Sequence, residues 1–121
     1  MRWRSLLLDL ALMAALWSCG ANSRSTAIHD TYVATTIAAT AFETYDREHE
    51  LALVAAAKTK PEGQAALDAW GLERDKVNAV FTAVWRSIAA ASEINDDPTY
   101  QGMLAAAMQL SAELKSLGVV P

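Results

Sequence analysis

Between Ser25 and Lys58 the chain carries neither glycine nor proline. Through that stretch Ile28, Thr35, Ala38, Phe42, Tyr45, His49, Leu53 and Ala56 recur at steps of three, four and seven. Those steps keep returning to one face of a helix, whereas a strand repeats every second residue. The β-branched run from Thr31 to Thr40 also reads as a strand. A lone strand among helices has no neighbour to take its backbone hydrogen bonds, so helix is the reading over about 25–58.

Thr59-Lys60-Pro61-Glu62 then reads as a stop and a new start. Thr59 can cap, Pro61 suits the first turn, and Glu62 stands at capping-box distance from Thr59. A second helix follows over about 61–94, with Leu67, Trp70, Val77, Val80, Phe81, Val84, Ile88 and Ala91 as its stripe. Asn95-Asp96-Asp97-Pro98 breaks it, with Asp97 read as cap and Pro98 as the first helical residue. The third helix covers about 98–117 through Tyr100, Met103, Leu104, Ala107, Leu110, Leu114 and Leu117, and Gly118 suits its C-terminal cap. Alanine supplies 25 of the 121 residues and favours helices that approach closely. Short connections make neighbours antiparallel. The expected fold is all-α: an up-down-up three-helix bundle over 25–121, with two long helices and one shorter.

The amino terminus has a different character. Arg2 and Arg4 precede an apolar stretch from Ser5 to Trp17. Thirteen helical residues reach roughly 20 Å, short of the ~30 Å hydrocarbon core of a bilayer. That length fits the hydrophobic region of an export signal rather than a permanent span. The stretch ends in Leu16-Trp17-Ser18-Cys19-Gly20. This resembles the lipobox of bacterial lipoprotein signal peptides. The resemblance covers about the first 20 residues and implies removal of 1–18 and lipidation (palmitate among the acyl chains) of Cys19 as the new first residue. Gly20, where an aspartate would favour inner-membrane retention, implies outer-membrane sorting towards the periplasm in a Gram-negative host. Residues 19–24 are expected to form the lipidated cysteine and a short polar tether. Cys19 is the only cysteine, which excludes an intrachain disulfide and a Cys-based metal site. Plain secretion with cleavage nearby, for example after Ala21, and an uncleaved or cytoplasmic chain are the alternatives.

Charge limits the partners. The formal net charge is −4, and −5 once residues 1–18 with Arg2, Arg4 and Asp9 are removed. No basic stripe exists to neutralise phosphates, so nucleic acid is not an expected partner. The expected partners are the membrane, through lipid on Cys19, and a protein or a second copy.

Helix lengths predict a shape. Two helices of about 33 residues reach about 50 Å, and one of about 20 reaches near 30 Å. The third should stop short of the Thr59 turn and leave a two-helix tip over about Glu48 to Glu73. Leu51, Leu53, Val54, Leu67, Trp70 and Leu72 lie there and form the candidate interaction surface. Coverage by the chain itself, for example by the C-terminal Gly118-Val119-Val120-Pro121, self-association, and a separate partner are the three ways to cover it.

Chemistry-bearing patterns are few. Asp46 and His49 share a helix face, but the bundle metal sites of that spacing use two such pairs with further carboxylates. No metal or cofactor is expected. A hairpin folded about residue 60 sets Asp46 opposite Arg74, an expected interhelical ion pair, and sets Gly71 opposite His49, making room for its ring. There is no Gly-x-Ser-x-Gly elbow and no glycine-rich phosphate loop, and the chain reads as a non-enzyme. Three function classes stand: an envelope lipoprotein presenting a helical bundle for protein contact, a small-ligand or metal binder, and a phage or mobile-element accessory lipoprotein.

Overall fold

The computed structural model describes residues 21–120. The proposed signal peptide, 1–18, and Cys19 lie outside the described residues. Three helices make up the described chain: α1 Ala21–Ala56, α2 Lys60–Glu93 and α3 Asp97–Ser116. They form an all-α three-helix bundle, and each end lies within one to four residues of its sequence expectation. α2 is the shared neighbour, packing extensively on both α1 and α3, while α1 and α3 touch each other far less.

The amino-terminal end corrects the expected tether. Helix α1 already includes Asn22, Ser23 and Arg24. A long-range lock explains why this polar string is helical. The Arg24 guanidinium pairs with the Asp97 carboxylate, donates to Asn95 Oδ1 at 3.2 Å and lies 5.2 Å from the centre of the Tyr100 ring. The first turns of α1 are thereby fastened to the α2–α3 connection.

The threonine-rich stretch of α1 stays helical because its hydroxyls bond within the helix. Thr31, Thr35, Thr36, Thr40 and Thr44 each donate to the carbonyl four residues back, at 2.7–3.2 Å. This removes the polar penalty of burying Thr31 and Thr35, and the methyls pack inward. The buried face of α1 is accordingly small from Ala27 through Thr31, Ala34, Thr35 and Ala38, and ends in one large side chain, Phe42, whose ring lies 5.9 Å from that of Phe81. Its partners are large, with Val77, Phe81, Val84 and Ile88 from α2 and Met103, Leu104, Leu110 and Leu114 from α3. Met103, Leu114 and Val84 are fully enclosed.

The helix ends follow local chemistry. Thr59 Oγ1 accepts from the Glu62 N–H at 3.3 Å, as a capping box requires. The reciprocal bond is displaced by one residue, since the Glu62 carboxylate accepts from the Lys58 N–H at 2.9 Å. At α3 the cap is Asp96, whose carboxylate accepts from the Thr99 N–H at 2.8 Å, and not Asp97. That leaves Asp97 in the first turn, with its side chain free to take Arg24. The Thr99 bonds, with a smaller contribution from Arg24, hold the Asp96 carboxyl below the usual carboxylate range. At the other end Gly118 adopts φ +77°, with the Val119 N–H bonded to the Leu114 carbonyl and the Gly118 N–H to that of Lys115, both at 3.0 Å. This is a Schellman turn, and the left-handed backbone it needs suits glycine. Past the turn, Val120 is buried in the same core cluster as Trp70.

Candidate functional site

The helical hairpin beyond the end of α3 brings polar, aromatic and exposed apolar groups together, as does a smaller patch on the three-helix part where exposed Tyr32 meets Trp85 edge-on at 5.5 Å. Glu113, close to the end of α3, lies near enough to Lys76 to add to the field, led by Glu73, that raises the Lys76 ammonium above its ordinary value. From that level to the Thr59 turn, α1 and α2 continue as a pair.

Their seam is built from two i, i+4 pairs that face each other. Asp46 and Glu50 come from α1, and Trp70 and Arg74 from α2. The Trp70 indole N–H donates to Asp46 Oδ1 at 2.5 Å, and Arg74 Nη1 donates to Glu50 Oε1 at 2.5 Å. Arg74 Nη1 also lies 3.6 Å from Asp46 Oδ1. The expected Asp46–Arg74 pair, level across the antiparallel hairpin, is therefore the longer contact of a four-residue lattice whose shorter bonds run along the diagonals. The Glu50 bond, followed by the charge of Asp46, raises the Arg74 guanidinium above its ordinary value. Both partners of the ion pair are partly exposed, so solvent screens it, and its main effect is to fix register.

Three rings fill the seam beside this lattice. Tyr45 and His49 are stacked, with centroids 5.4 Å apart and planes 11° apart. Trp70 meets His49 at 4.3 Å and Tyr45 at 5.9 Å. His49 is thus held by aromatic faces. The expected role of Gly71 is corrected, because a Cβ there would come within 4 Å of the Arg74 guanidinium alone, at 3.8 Å.

The candidate interaction surface divides in three. Trp70 is 6% exposed and belongs to the core, which corrects its expected place on the surface. The space between the hairpin helices is wide enough for an indole once its N–H has Asp46 to bond. Leu53 and Leu67 are half-buried. Leu51, Val54 and Leu72 remain exposed, at 67%, 53% and 67%. Leu51 stands two residues after His49, and Leu72 two after Trp70. Two helical steps turn about 200°, so these leucines leave the seam on opposite outer sides and do not form one patch.

An open groove lies at the turn itself. Val54, Ala57, Gly63 and Leu67 line it together with Lys58, Thr59, Lys60 and Gln64, around about 420 Å³. The helices are close here, since a Cβ on Gly63 would stand in van der Waals contact with the Ala57 Cβ at 3.4 Å. Sequence reasoning missed three features: Glu50 as the partner of Arg74, Asp46 as the acceptor for Trp70, and this groove. The matched spacing of Asp46/Glu50 and Trp70/Arg74 was the available signal for the first two.

Among the described residues no cluster of three or more His, Cys, Asp or Glu is placed to hold a metal ion, and no helix is long and apolar enough to cross a membrane. No family model, curated protein or solved structure matches the chain.

Proposed function

We propose that the chain is a non-enzymatic envelope lipoprotein, tethered through lipid on Cys19 and presenting a rigid helical hairpin for protein contact. In a Gram-negative host the module faces the periplasm from the outer membrane. The observation that carries this reading is the separation of the two ends of α1. Its first described residue, Ala21, follows Cys19 by two positions, and its 36 residues run about 54 Å to a turn flanked by exposed Leu51 and Val54. The lattice at Trp70 and Arg74 keeps those residues at a fixed distance from the anchored end.

The small-ligand reading draws less support, because the rings of Tyr45, His49 and Trp70 occupy the seam where a ligand would have to sit. Intact-mass measurement of membrane-extracted protein tests the anchor. Loss of residues 1–18 with added acyl mass is expected, and Cys19→Ala should release the protein to the soluble fraction. Recovery of Met1, or of an unmodified thiol at Cys19, would overturn the assignment.

A further inference from the structure

We infer that the groove at the α1–α2 turn docks an acidic amphipathic segment of a partner protein. The inference deepens the contact-module reading by giving the partner a chemistry. Apolar side chains of the partner would enter between Val54, Ala57 and Leu67, and its carboxylates would meet Lys58 and Lys60.

The argument is one of charge complementarity around an apolar floor. Val54 is more than half exposed although it lines a concavity, and Leu51 lies one turn earlier on the same helix. The groove volume is in the range that accepts a few aliphatic side chains. No carboxylate lines it. The two acids nearest in sequence stand at its edge and bond to groups other than the ammoniums: Glu62 accepts from the Lys58 backbone N–H, and Asp68 accepts from Gln64 Nε2, both at 2.9 Å. Among the described residues neither the Lys58 nor the Lys60 ammonium has an ion-pair partner, although the chain as a whole is acidic. Two ammonium groups that line the groove without an ion-pair partner, beside exposed aliphatic surface, favour an occupant that is both apolar and anionic. They disfavour basic segments by like-charge contact.

The test uses the full chain extracted from membranes, with a short amphipathic peptide of leucine and glutamate as probe. A twin peptide carries lysine in place of glutamate, and dodecanoate forms a third arm. Saturable binding of the acidic peptide is expected, weakening as salt is raised. Lys58→Glu combined with Lys60→Glu should weaken it at least about tenfold, and Val54→Asp should weaken it too. All three positions are exposed, so an unchanged thermal transition is expected in both variants. Failure to bind the acidic peptide, equal binding of the two peptides, or indifference to the charge reversal would each overturn the inference. So would tighter binding of dodecanoate, which would make the groove a lipid site, or self-association lost in the double variant, which would make a second copy the occupant. A protein that lacks acyl mass yet binds the acidic peptide keeps the docking inference and loses only the anchor.

Discussion

The half of the bundle near Arg24 and the half near Trp70 are held together by different physics. In the first half three helices meet, and α1 contributes alanines, self-bonded threonines and Phe42 against large apolar side chains from α2 and α3. Burial of apolar area dominates there, and shape fit sets how much each residue contributes. In the second half two helices cannot enclose a dry core. The chain uses rings with polar ends instead, so that Trp70 is buried while its N–H is satisfied by a partly exposed carboxylate. Three helices can be stabilised by size alone, whereas two need directional bonds to bury an aromatic ring.

The contrast can be broken most severely in the first half. Leu114→Ala, at a fully enclosed position, should cost about 2–5 kcal/mol in urea unfolding, because removed methyl groups leave a cavity among packed neighbours. A loss under about 1 kcal/mol would show that α3 is not part of the core. Ala38→Leu sharpens the same point from the other direction, since overpacking the small face of α1 should destabilise by about 1–3 kcal/mol. In the second half Trp70→Phe keeps a ring but removes the bond to Asp46, at about 1.5–3 kcal/mol for a bond to a charged group. If Trp70→Phe is as stable as the parent, directional bonding does not hold the hairpin. Glu50→Gln should have a smaller effect, seen as a slight fall in melting temperature that vanishes at high salt.

The smallest effect concerns pH at the base. The Asp96 carboxyl lies below the usual carboxylate range, chiefly through its bonds from Thr99. A depressed folded-state value means that the ionised cap stabilises the fold at neutral pH. That contribution begins to fade as pH falls below about 4 and is gone below the folded value. Asp96→Asn keeps an acceptor without the charge, so the variant and parent should converge in melting temperature at low pH. A gap of constant size across the acid range would remove the charge from the explanation.

Much of this architecture is legible in the residues. Thr59, Pro61 and Gly118 act within one turn of themselves, so their roles can be read locally. The hairpin register near residue 60 follows from the Thr59–Pro61 turn and brings Asp46 to the level of Arg74. What stayed hidden depends on distant neighbours. Asp96 and Asp97 both satisfy the local rule for a cap before Pro98, and the choice is coupled to Arg24, more than seventy residues away. The string from Asn22 to Ser25 reads as a tether until Arg24 meets Asp97 and Tyr100. Trp70 reads as tip surface because nothing in the α2 stripe reveals that Tyr45 and His49 flank its ring.

The lock made by Arg24 has a mechanical corollary. It joins the foot of α1 to the elbow between α2 and α3, so the foot turns as one piece. A rod about 54 Å long then acts as a lever, and a tilt of about 10° at its foot sweeps the far end through about 9 Å. Small rotations at the foot become large excursions at the Thr59 turn.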